Sequence, residues 1–201
     1  MKQQKLIEDA IYLCENEEVK AMLLQFLRAN AVCSNQNFNL EKFVEKYTMR
    51  KSLTGIMHEN GMKIATDGHI LAAVKSDYAP ENEGKIITPK GEIIDCKFPN
   101  WRMVVPAKEN EITIDKPVSE ILKRIKEAEI EAKIECQNVL VKCGDICFDT
   151  RYFKLFLSFL KAFADAKIYV KTGWSLYAVS GENVCLLMRK TEEQRDKIVE
   201  L

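Results

Sequence analysis

Apolar positions recur at two different periods along this chain, and the change of period divides it. Between residues 5 and 30 they fall at helical spacing: Leu6, Ile7, Ala10, Ile11 and Leu13 form one stripe, and Val19, Met22, Leu23, Phe26 and Leu27 a second. A polar run at 34–39 breaks this pattern. Asn39 is the predicted N-cap of a further helix that carries Leu40, Phe43, Val44 and Tyr47. From residue 53 the period is that of strands. Residues 53–59 and 62–66 flank Asn60-Gly61, a strong hairpin signal because both residues tolerate positive φ. Asp67-Gly68 predicts a second turn, before an apolar strand at 70–74.

Residues 77–111 are rich in turn signals, with Pro80, Pro89, Pro99 and Pro106 and a hairpin predicted at 86–94 about Lys90-Gly91. The order of elements then returns. A short strand at 111–114 precedes a helix that Pro117 opens and that buries Val118, Ile121, Leu122 and Ile125. Strands are predicted at 133–136, 139–143 and 146–149. A helix of Phe153, Phe156, Leu157, Leu160 and Phe163 follows, then strands at 167–171, 175–180 and 183–188. The unit βαβββ therefore recurs about three times, at a period of about 40 residues, which implies repeats packed side by side. Helices on one face of antiparallel sheets give an α+β fold. Three parts are expected: an N-terminal helical segment at 1–36, a partial domain at 37–107 and a C-terminal domain at 108–201.

Composition narrows the function classes. A chain of 201 residues buries roughly 70% of its unfolded surface and needs no disulfide or metal staple. Its 30 basic and 30 acidic residues cancel. That excludes a uniformly basic tail protein but not one basic face. The seven cysteines are scattered with no Cys-x-x-Cys pair, and the histidines are only His58 and His69. Free thiols in a reducing cytosol are the expectation, with no metal site and no cofactor. The start Met-Lys-Gln-Gln-Lys lacks the apolar core of a signal peptide, and no apolar run approaches the ~20 residues of a membrane span, so a cytoplasmic protein is expected. There is no Walker loop, nucleophile elbow or dinucleotide fingerprint, and nothing in the sequence argues for an enzyme.

Three stretches are more specific than this pattern: Arg-Lys-Ser-Leu-Thr-Gly-Ile at 50–56, Ile-Ala-Thr-Asp-Gly-His-Ile-Leu-Ala at 64–72 and Phe-Pro-Asn-Trp-Arg-Met-Val-Val-Pro at 98–106. In this order they resemble the bacterial sliding clamps, the β subunit of DNA polymerase III, in a reduced and divergent form. Val-Cys-Leu-Leu-Met-Arg at 184–189 is similar to that family's closing strand, with Leu187 in place of a proline. The family's first domain and the second half of its middle domain have no counterpart. The resemblance implies DNA-clamp-like repeats and a role as a DNA replication or repair accessory factor without catalytic residues. It also implies a hydrophobic pocket for the clamp-binding peptides of polymerases and repair proteins, formed here by Leu53, Thr66, Gly68, His69, Leu71, Pro99, Val104, Val184 and Leu186. Small and aliphatic groups suit leucine and phenylalanine anchors, and a few polar groups orient the peptide. Ile70 and Met103 stand where the family has arginines, so the pocket is expected to be more apolar.

Duplex DNA is the second implied partner. Lys42, Lys46 and Arg50 recur every four residues, Lys123 and Arg124 lie on the next predicted helix, and Arg151, Lys154 and Lys161 on the last. Residues three and four apart share a helical face, so these could form basic stripes making sequence-independent phosphate contacts. The plainer reading is a solvated face laced with Glu41, Glu45, Glu120 and Glu127. Encircling DNA would require a homo-oligomer. The alternative is a clamp-fold interaction module that does not encircle DNA. His69 reads either as pocket wall or as a turn residue bonded to Asp67; acid–base chemistry by this pair would need a further partner. Trp101, Trp174 and the run from Tyr152 to Phe163 read as packing residues.

Overall fold

The computed structural model describes residues 38–201, apart from Tyr47, Glu109, Asp115, Cys136, Thr172 and residues 192–195. The helices expected at 5–30 and the segment 1–36 lie outside the described residues. Asn60 and Gly61 take φ of 53° and 72° and close the hairpin of β1 (Ile56–Glu59) and β2 (Met62–Thr66) as their chemistry predicts. β3 (Ile70–Lys75) pairs antiparallel with β2. The proline-rich stretch holds the small hairpin β4 (Ile86–Ile87) and β5 (Ile93–Ile94). Beyond it come β6 (Glu111–Ile112), α1 (Val118–Glu135), β7 (Val139–Cys143), β8 (Ile146–Asp149) and α2 (Thr150–Ala162). The chain finishes with β9 (Lys167–Lys171), β10 (Ser175–Ser180), β11 (Asn183–Met188) and β12 (Lys197–Glu200).

Among the described residues nine strands form one sheet in the order β5-β4-β1-β2-β3-β11-β10-β9-β6. Its seam is the antiparallel pairing of β3 with β11, which sets Leu71 opposite Leu186 and Ile70 opposite Leu187. Both faces are buried there. Ile70, Ala72, Cys185 and Leu187 enter a core shared with Ile121 and Ile125 of α1 and with Phe153, Phe156, Leu157 and Phe159 of α2. Leu71, Ala73 and Leu186 face the other way, into a second cluster closed by Phe98 and Trp101. The helices thus cover one face, as an α+β layout requires. α1 and α2 are also tied by a bond from Lys154 Nζ to the Glu129 carboxylate at 2.6 Å.

Four expectations need correction, the simplest being that Leu122 of α1 is exposed rather than buried. The helix over 40–47 is a four-residue 3-10 turn, Leu40–Phe43. Asn39 does cap it, its Oδ1 accepting from Glu41 N at 2.8 Å. Val44 then turns extended, and Glu45 N donates to Leu53 O at 2.8 Å, a non-helical bond that a continued helix would forgo. A second 3-10 stretch, Thr48–Leu53, is kinked at Arg50. The spacing of Lys42, Lys46 and Arg50 therefore does not place them on one helical face.

The strand at 133–136 is instead helical through Glu135: Ala128 and Ala132 are buried, and the Glu, Ala and Lys around them are strong helix formers. The edge beside β7 is taken by β12, which pairs with it in parallel to complete a three-stranded sheet, β12-β7-β8. Finally, Trp174 does not pack. It is 60% exposed, whereas Trp101 is buried as expected.

Among the described residues Cys96, Cys143, Cys147 and Cys185 form no disulfide, and burial pushes the Cys143 thiol up to about 12. No described helix is long and apolar enough to cross a membrane.

His58 is buried at 6% exposure, its ring edge-on to Tyr78 at 4.9 Å and its Nδ1 3.3 Å from the Lys85 carbonyl. Burial is the main influence holding its pKa below the usual 6.5; the Lys85 carbonyl opposes this and Lys63 adds to it. The unfolded chain therefore binds the proton more readily. The stability His58 contributes is intact above about pH 6.5 and declines as pH falls through that value. Urea midpoints measured between about pH 7.5 and 5.5 should fall less in His58→Gln than in the parent chain. An equal fall would contradict the buried neutral imidazole.

Candidate partner-binding site

The turn between β2 and β3 is built from its own side chains. Thr66 Oγ1 donates to Ile70 O at 2.7 Å and accepts from Gly68 N at 3.1 Å. Asp67 Oδ1 accepts from His69 N at 2.9 Å and from Ile70 N at 3.1 Å. Gly68 sits at φ +92°, where a side chain is strained, and a β-carbon there would also meet the Arg50 guanidinium at 2.8 Å. The Thr-Asp-Gly-His run is thus a self-bonded turn that pushes His69 outward while Met188 N donates to the His69 carbonyl at 2.9 Å. His69 is exposed, and its ring stacks on Tyr152 of α2 with centroids 5.3 Å apart. Burial pushes the Tyr152 phenol up to about 12, with the charge of Asp67 and a hydrogen bond to it acting in the same direction.

Residues 98–104 form the second component. Phe98 and Trp101 are buried against the sheet face of Leu71 and Leu186. Glu59 of β1 pins them: its Oε2 accepts from Trp101 Nε1 at 3.2 Å and pairs with Arg102 at 2.5 Å. Past this anchor the chain exposes two apolar side chains, Met103 at 81% and Val104 at 55%.

The nine residues assigned to a pocket divide in two. Leu53, Leu71 and Leu186 belong to one buried cluster with Phe98 and Trp101, at only 3%, 4% and 2% exposure. The register puts Thr66 opposite Leu71 and Val184 two residues along from Leu186, on the same face. Gly68, His69, Pro99 and Val104 are exposed. Pro99 lines a cavity of about 570 Å3 with Met57, Glu59, Phe98, Trp101 and Arg102, and it alone of the nine does so. The arrangement is an aliphatic floor, already covered by Phe98 and Trp101, with exposed His69 and Val104 in the segments that flank it.

Of the eight basic candidates, Lys42, Lys46, Arg50 and Lys161 are exposed and Arg124 is half-buried. Lys123 pairs with Glu127 at 3.9 Å, Arg151 with Asp149 at 3.2 Å and Lys154 with Glu129. These three ion pairs dilute a basic stripe on α1 and α2. Sequence reasoning misses Tyr152 as a site residue because it sits in an aromatic run. The usable signal is that adjacent helical residues point about 100° apart, so Tyr152 and Phe153 cannot both face the same core line.

Neither a protein-family profile nor a characterised protein matches the sequence. Solved structures do match. The DNA polymerase III β subunit of Borrelia burgdorferi aligns over 83% of this chain and 62% of its own, with 11% identity and a TM-score of 0.57. The C. crescentus β sliding clamp aligns over 79% and 64%, with 16% identity and a TM-score of 0.58. The Bacillus subtilis sliding clamp gives 83% and 63%, 15% identity and 0.53. The chain spans less than two thirds of the length of these clamps. It has the fold of the bacterial sliding clamps, in a divergent form.

Proposed function

We propose that this chain is a non-catalytic accessory factor of DNA replication or repair, which binds a short peptide of a polymerase or repair protein and tethers that partner on duplex DNA. The observation that carries this reading is convergence. Leu53, Leu71, Leu186, Phe98 and Trp101 come from distant parts of the chain and share one buried cluster on one side of the β3–β11 seam, and the exposed His69 and Val104 belong to segments that adjoin it. Core packing alone explains Leu53, Leu71 and Leu186. It does not explain why Met103 and Val104 stand exposed beside an anchored turn. Exposed aliphatic groups next to a few fixed polar ones suit a peptide with leucine or phenylalanine anchors. Tethering then acts through effective concentration, since rebinding becomes intramolecular. Lys42, Lys46, Arg50, Lys123, Arg124 and Lys161, with the paired Arg151 and Lys154, supply phosphate contacts that need no base sequence.

The tether is tested by native mass and DNA topology. Light scattering over a range of concentrations should give a discrete closed oligomer. That oligomer should stay on nicked circular DNA and leave when the circle is linearised. A monomer throughout, with no retention on circles, would overturn encirclement and leave a module that docks partners away from DNA.

A further inference from the structure

At one end of the nine-stranded sheet a continuous set of contacts joins rings and cations. His69 stacks on Tyr152, and the Arg151 guanidinium lies 5.2 Å from the Tyr152 ring. Arg151 is held by Asp149, and Lys190 lies 3.8 Å from the same carboxylate. The preceding residue, Arg189, stands 5.8 Å over the Trp174 ring. Two backbone bonds fix the spacing: Met188 N donates to His69 O at 2.9 Å, and Arg189 N to Trp174 O at 3.0 Å. The His69 and Trp174 turns therefore flank the end of β11, about 10 Å apart across two strand spacings. Lys171 accepts from Trp174 N through its carbonyl at 2.9 Å, and Arg50 lies against Gly68 at the far side.

The chemistry of this strip differs from that of the aliphatic floor. Arg50, Arg151, Lys171, Arg189 and Lys190 outnumber Asp67 and Asp149, in a chain whose charges cancel as a whole. Asp67 is engaged by backbone amides and Asp149 by Arg151 and Lys190. Trp174 belongs to none of the described core clusters and is 60% exposed. An exposed indole with a guanidinium over it, a stacked imidazole–phenol pair and a run of cations together match what an unpaired polynucleotide offers: open base faces and a phosphate backbone. A duplex hides its base faces, and an acidic peptide would use the cations but leave the rings idle. We propose that this strip binds single-stranded nucleic acid, with Trp174 and the His69–Tyr152 pair as stacking surfaces and Arg50, Arg189 and Lys190 as phosphate contacts. The proposal goes beyond duplex tethering and does not depend on it.

The test uses the full chain and an oligothymidylate of about 15 nucleotides, within the site sizes of single-strand binders. Tryptophan emission should be quenched on binding, and the quench should vanish in Trp174→Phe because Trp101 is buried. Trp174→Ala should weaken binding about ten-fold. Arg189→Ala with Lys190→Ala should weaken it further and flatten the salt dependence by about 0.7 in logarithmic slope for each phosphate contact removed. Trp101 emission reports that these surface variants stay folded. Four results would each overturn the proposal: no binding at low salt, equal affinity for a duplex of the same length, equal affinity for polyglutamate, or unchanged affinity in Trp174→Ala. Trp174→Ala should still bind a leucine- and phenylalanine-bearing peptide, so failure here is distinguishable from failure of the peptide site.

Discussion

Leu187→Asp is expected to abolish the cooperative folding transition. Leu187 is wholly buried in the seam strand β11, between Leu176 of β10 and Ile70 of β3, which are exposed by 0% and 1%. Removing the leucine forfeits about 2 kcal/mol of transfer free energy. Burying a carboxylate, or protonating it to avoid burying its charge, costs several kcal/mol more. The sum is about 5 kcal/mol or more, against a usual domain stability of about 5–15 kcal/mol. Because β11 joins β1–β5 on one side to β6, β9 and β10 on the other, the damage is not confined to one part of the sheet. Urea titration followed by circular dichroism should show no native baseline for Leu187→Asp. Leu187→Met, which conserves volume, should lose less than about 1.5 kcal/mol. A Leu187→Asp chain that unfolds cooperatively with a loss under about 2 kcal/mol would contradict the seam.

The second large effect concerns the peptide. Val104→Asp with Met103→Asp should weaken binding of a leucine- and phenylalanine-bearing peptide at least ten-fold, while leaving stability within about 0.5 kcal/mol. Covering either side chain with a ligand is worth about 1.5–3 kcal/mol, and 1.4 kcal/mol is a ten-fold change in affinity. Both side chains are more than half exposed, so the substitution adds charge where water already reaches. Leu71→Glu is the wrong probe of the same idea: at 4% exposure it would damage the sheet and mimic a loss of binding. Fluorescence anisotropy with a labelled peptide measures the first quantity and urea midpoints the second. Unchanged affinity in the double variant would remove residues 103 and 104 from the site.

Local rules make much of this fold readable. The Asn60-Gly61 turn, the alternation through β9 to β11 and the phenylalanine stripe of α2 each depend on neighbours a few residues away. The errors fall where distant contacts decide. Residues 40–47 carry a helical stripe, yet the Glu45–Leu53 bond and the burial of Leu40, Phe43 and Val44 shorten it to one turn. The alternation at 133–136 suggests a strand, but helix propensity prevails. The strand that does flank β7 is β12, four residues joined to it in parallel from about 60 residues away.

At the candidate site, Thr66 to His69 are legible because the turn bonds to itself. The His69–Tyr152 stack is not, since it pairs a turn with a helix more than 80 residues later. Trp174 reads as packing because tryptophan usually packs; only its position at a turn beyond the core clusters shows otherwise.

In the proposed function a partner's peptide lies against the exposed turn at 66–71 and the exposed segment at 98–104, beside the sheet face that Phe98 and Trp101 already cover. The most direct measurement is a nitrogen-15 amide spectrum of the full chain titrated with a leucine- and phenylalanine-bearing peptide. Shifts concentrated at Gly68, His69, Val104 and the Trp101 indole would support the account. A silent titration would contradict it, as would shifts gathered instead around the cleft of Ile112, Cys143, Asp145 and Gly173, a cavity of about 730 Å3.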